Sequence, residues 1–89
     1  MAEVKWDASK NEVLKRTRGV SFEEILQAYW VGIIEHPGRP HQSLILFEYK
    51  GYVWVAPCVE TEDEIFLKTL FPSRKYTNKY RKRKLYEKD

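Results

Sequence analysis

The chain has 89 residues, is 43% hydrophobic and 15% aromatic, and carries a formal net charge of +3. That length fits one domain with a small core, whose stability leans on partners more than a large protein's does. No run approaches the roughly 18–20 apolar residues of a membrane span, the opening "MAEVKWDASK" has no signal-like apolar stretch, and the single cysteine, Cys58, fits a reducing cytoplasm.

In chain order, "VKW" is extended-prone, and Asp7 is placed to cap a helix over "DASKNEVLKRTR". Ser9 and Glu12 offer a second capping box if that helix starts later. Trp6, Val13 and Leu14 are expected to face inward, and Gly19 suits the left-handed residue that ends a helix. In "VSFEEI", Ser21 and Glu24 form a capping box, flanked by Val20 and Ile25 as a hydrophobic staple. Phe22, Ile25, Leu26, Tyr29 and Trp30 recur at helical spacing, which predicts a second helix continuing through Trp30 with one apolar stripe.

After Gly32, "IIEH" reads as a short strand and "PGRPHQ" as a loop. "SLILFEY", "YVWVAPCVE" and "EIFLKTLF" are β-rich runs. Lys50 and Gly51 make a tight hairpin turn between the first two. Glu60–Glu64 is an acidic turn between the second and third, either solvated or paired with the basic tail. Pro57 lacks a ladder donor and marks a bulge or an edge. Pro72 ends the last strand, and Thr77 is expected to cap a final helix, "NKYRKRKLYE". The pattern predicts an α+β fold in a single domain, 1–89. It has two N-terminal helices, an antiparallel sheet of three to four strands and a short basic C-terminal helix.

Residues 72–89 hold eight basic side chains against Glu87 and Asp89, while residues 1–71 are net acidic. Such a segment is an anion-binding candidate: Lys and Arg displace counterions from phosphates, and tyrosines offer faces for stacking on unpaired bases. Tyr76, Lys79, Tyr80, Arg81, Lys82, Arg83 and Lys84 are the candidate nucleic-acid contacts. His36, His41 and Cys58 have no metal-ligand spacing, the glycines at 19, 32, 38 and 51 make no phosphate loop, and no serine sits in a nucleophile elbow. No metal or cofactor is expected.

"KWDASKN" followed by "GVSFEEI" resembles the N-terminal half of BrnT-type toxins, and "FLKTLFPSRKYTNKY" is similar to their end. "IEHP" and "GYVWVAPCVETEDEIFLK" resemble a subgroup of such toxin-like proteins, and the ordered set spans most of the chain. The resemblance implies a RelE-like fold and a toxin of a bacterial type II toxin–antitoxin pair. It also implies RNA cleavage without metal, and an antitoxin partner with a ribbon-helix-helix DNA-binding part. Where the family often has Lys-His before Gly-Val, this chain has Thr17 and Arg18.

Metal-free cleavage through 2′-hydroxyl attack needs a base, a cation on the phosphorane and an acid for the leaving oxygen. Arg74 is the first choice for the phosphate, since it lies just past the last strand and its planar fork suits two oxygens. Lys75 adds charge or acts as the acid. Lys68 alternates with Phe66 and Leu70 on a strand, either covered by packing or serving as an edge charge. His36 ends a strand, and imidazole is a side-chain type suited to proton transfer. The alternative is a non-catalytic nucleic-acid-binding or protein-binding module of the same fold.

Overall fold

The computed structural model describes residues 3–87, with side chains through Arg83. The elements are β1 (Glu3–Trp6), α1 (Ala8–Arg18), α2 (Phe22–Leu26), β2 (Tyr29–Glu35), β3 (Gln42–Tyr49), β4 (Tyr52–Glu60), β5 (Glu64–Leu67), β6 (Phe71–Pro72) and α3 (Arg74–Glu87). Among the described residues the six strands form one sheet, ordered β1-β5-β4-β3-β2, with β6 also pairing β4.

Local chemistry sets the N-terminal third. Asp7 accepts from the Lys10 amide at 2.9 Å and starts α1, and Gly19 ends it at φ 76. Ser21 and Glu24 close the capping box that starts α2. Lys50 and Gly51, at φ 53 and 79, turn β3 into β4 with the paired positive φ values that match strand twist.

Strand alternation then divides the core into two layers. Ile45, Phe47, Ala56, Cys58 and Leu67 face α1 and α2, meeting Leu14, Phe22 and Ile25. Leu44, Leu46, Val53 and Val55 face the other way and carry α3 through Tyr76 and Tyr80. Trp6 packs beside the first layer, its ring 5.6 Å from that of Phe22.

Several expectations are corrected. The second helix stops at Leu26, and Tyr29 and Trp30 begin β2, opposite Glu48 and Phe47. Their apparent helical stripe gives way to sheet pairing, which the aromatic, β-branched run "YWVGII" satisfies better. Among the described residues the sheet has six strands rather than three or four and is not purely antiparallel, because β1 runs parallel to β5. "EIFLKTLF" is broken between β5 and β6, so Phe66 is 41% exposed while Leu70 is fully buried. Val13 is exposed rather than inward, whereas Leu14 is buried. The second capping box does not form, since α1 starts at Ala8.

Pro57 sits inside the sheet, opposite Leu44. Its carbonyl accepts from Lys68, in the gap between β5 and β6. Carbonyl and amide of one residue point the same way in an antiparallel strand. The donor that proline lacks therefore faces the interruption, where no strand needs it.

Candidate nucleic-acid interface

The cationic segment is a helix locked onto the start of β4. Ser73, not Thr77, caps α3: its Oγ accepts from the Tyr76 amide at 3.1 Å and its carbonyl from the Thr77 amide at 3.0 Å. Ser73 also donates its own amide to the Val53 carbonyl at 2.9 Å. Thr77 lies one turn in, 2% exposed. Its Oγ1 accepts from the Val53 amide at 2.8 Å and donates to the Ser73 carbonyl at 2.6 Å. Both polar groups of Val53 on that edge are thus satisfied by the helix start, which fixes where α3 leaves the sheet.

Tyr76 and Tyr80, four residues apart, share the inward face. Both pack against the second core layer, and the Tyr80 hydroxyl also donates to Glu48 Oε1 at 2.9 Å. With that face committed, Arg74, Lys75, Lys79, Arg81, Lys82 and Arg83 are all exposed. The Lys75 and Lys79 ammoniums stand 5.5 and 5.8 Å from the Tyr76 ring centre, a cation–π geometry. Arg81 donates to the Gly51 carbonyl at 3.0 Å, tying the helix to the β3–β4 turn. Lys84 lies beyond the last described side chain. The acidic turn does not neutralise this face through Glu64, which pairs with Lys5 at 3.2 Å.

The proposed catalytic residues do not share one location. Arg74 and Lys75 open α3, beside Val53. Lys68 hangs its amide on Pro57, and His36 donates its amide to Gln42, which lies opposite Val59. At about 3.3 Å per residue, Lys68 is anchored roughly 13 Å along β4 from Arg74 and His36 roughly 20 Å along it, two strands over. Lysine and arginine side chains span the shorter interval. An imidazole does not span the longer one.

His36 instead belongs to an open cavity of about 500 Å³ at the β2–β3 loop, with Glu35, Arg39, His41, Ser43 and Glu60 on its lining. Its Nδ1 accepts from the Gly38 amide at 3.0 Å, so the neutral ring carries its proton on Nε2. His41 holds a left-handed φ of 65. Arg39, His41 and Ser43 were not singled out from sequence. The only signal was the density of basic and imidazole side chains in "HPGRPH", and a Pro/Gly loop hides which of them converge.

Cys58 is no nucleophile. It is wholly buried, and burial pushes its thiol up to about 11. Among the described residues no group of three or more His, Cys, Asp or Glu is gathered for a metal ion, and no helix is long and apolar enough to cross a membrane.

The fold matches the 1.1 Å crystal structure of the Brucella abortus ribonuclease toxin BrnT, with a TM-score of 0.55 over 82% of this chain and 97% of that one, at 14% identity. At that identity the likeness is one of fold: a BrnT-like α+β architecture. No protein-family model and no curated protein sequence matches the chain.

Proposed function

We propose that this chain is the RNA-cleaving toxin of a bacterial toxin–antitoxin pair, a RelE-like cytoplasmic protein working without metal and held in check by an antitoxin with a ribbon-helix-helix part. The observation that carries the reading is a cationic helix, rigidly seated on a BrnT-like scaffold, whose exposed face holds Arg74, Lys75, Lys79, Arg81, Lys82 and Arg83. RNA lies along this face, neutralised by the lysines and arginines beyond Lys75. Arg74 receives the scissile phosphate. The 2′-oxygen loses its proton to a base and attacks phosphorus. The bond to the 5′-oxygen breaks, and that oxygen takes up a proton, leaving a 2′,3′-cyclic phosphate and a 5′-hydroxyl. Arg74 stabilises the phosphorane, Lys75 supplies the proton, and Lys68 adds a second cation from along β4.

A second reading has its own observation. His36 and His41 share a cavity with Arg39, the side-chain types for acid, base and phosphate contact. Purified variants separate the two on labelled RNA, with and without ribosomes. In the first reading Arg74→Ala loses about 10²–10³-fold in cleavage rate with an unchanged melting midpoint, and His36→Ala cleaves as wild type. The reverse pattern moves the chemistry to the loop. Wild-type protein that binds RNA in a salt-sensitive way but leaves it intact is a binding module, and the enzyme reading fails.

A further inference from the structure

β2 is an edge strand, and among the described residues no strand pairs with its outer side. Natural edges are usually blunted by lysine, proline or inward charge. "YWVGIIE" instead exposes Tyr29 by 66%, Trp30 by 52%, Ile33 by 44% and Ile34 by 38%. The His36 amide bonds to the Gln42 carbonyl on β3. By the two-residue period of the ladder, Gly32 and Ile34 also turn their backbone groups toward β3, so Ile33 and Glu35 point theirs outward. A bulge between Trp30 and Gly32 restores phase, placing Trp30 and Ile33 on one face and Val31 and Ile34 on the other.

On that second face a groove of about 270 Å³ runs between β2 and α3. Val31 and Ile34 line its strand side, Tyr76 and Tyr80 its helix side, and Lys79 and Arg83 stand on the helix above. The edge thus offers three things together: outward-facing ladder groups, apolar contacts on both faces, and cations on one face only.

We propose that the β2 edge captures an extended, acidic segment of a partner protein by strand addition. Residues whose side chains fall on the Trp30–Ile33 face are apolar. Those that fall over the groove are glutamates or aspartates, their stems covering Val31 and Ile34 and their carboxylates reaching Lys79 and Arg83. A second copy of this chain is the poorer occupant. In an antiparallel β2–β2 pair the two-fold axis is normal to the sheet, so both α3 helices lie on the same side and bring like charges to the seam. This inference deepens the antitoxin half of the proposed function and is independent of RNA cleavage.

The probe is a blocked peptide of alternating Glu and Val, roughly eight residues long to span the edge. It is titrated into isotope-labelled full-length protein, and amide shifts are read by NMR. Shifts centred on Ile33 and Glu35 are expected. Affinity is expected to fall tenfold or more for Lys79→Glu/Arg83→Glu, and for the same peptide with lysine in place of glutamate. A peptide N-methylated at alternate residues, which cannot pair, is expected to lose binding to wild-type protein, so the test does not depend on an edge variant folding. Shifts confined to α3, equal binding of the N-methylated peptide, or a dimer in sedimentation that Trp30→Ser dissolves each overturn the proposal. RNA cleavage by the same preparation leaves the toxin reading standing in that event, and intact RNA with edge pairing separates the two the other way.

Discussion

Thr77→Val isolates the polar clamp under the cationic helix. The substitution keeps shape and buried volume but removes the hydroxyl that accepts from the Val53 amide at 2.8 Å at a site 2% exposed. Ser73 keeps its other acceptor contact, the Thr77 amide at 3.0 Å, so the main loss is a buried donor left without a partner. That costs about 1–3 kcal/mol. At roughly 4–8 °C per kcal/mol for a domain of this size, the melting midpoint falls by about 5–20 °C. Thr77→Ser keeps the hydroxyl and gives up one methyl, about 1 kcal/mol. Urea unfolding measures both, and hydrogen exchange at the Val53 amide separates them, with protection dropping in the valine variant and held in the serine variant. Valine matching wild type in both measurements, or serine proving the worse of the two, would refute the clamp as the device that seats α3.

Glu24 ties the second helix to the first, and Lys15, at 2.7 Å, together with the Ser21 amide holds its carboxyl down at about 2. A depressed folded value means the contribution is complete above the ordinary 4.5 and is lost as pH falls through about 2. Thermal midpoints should therefore drop between pH 5 and 2 in wild type, and less steeply in Glu24→Gln. Cys58 is wholly buried with its thiol raised, so an aromatic disulfide reagent at pH 8 should label it only at the rate of opening and promptly in denaturant. Labelling of native protein as fast as a small thiol contradicts that. Phe22→Ala removes a fully buried ring that lies tilted against Trp6, 5.6 Å between ring centres. It should cost about 3–5 kcal/mol in urea unfolding, a large share of the stability of so small a domain.

Asp7, Gly19, Ser21 with Glu24, and the Lys50–Gly51 turn were all legible in the sequence, because each acts on backbone groups within about four residues of itself. The same proximity failed at Thr77, where Ser73 sat equally well placed to cap and only contact with Val53 decided between them. Tyr29 and Trp30 match helical and strand periods alike. Pairing with β3 chose the strand, and in doing so turned a predicted core stripe into an exposed edge.

For the candidate site, the sequence by itself established a cationic segment interleaved with tyrosines, since charge and composition are properties of the local chain. Tertiary structure decided which way it faces. Val53 anchors its start and the second core layer takes its tyrosines, and that leaves the cations on the exposed side. It also decided that Arg74 and His36 stand at opposite ends of the sheet and that His41 and Arg39 join His36. Distances of this kind are set by strand register, and register follows from which apolar faces are buried together across the whole sheet, a condition no short stretch of chain contains.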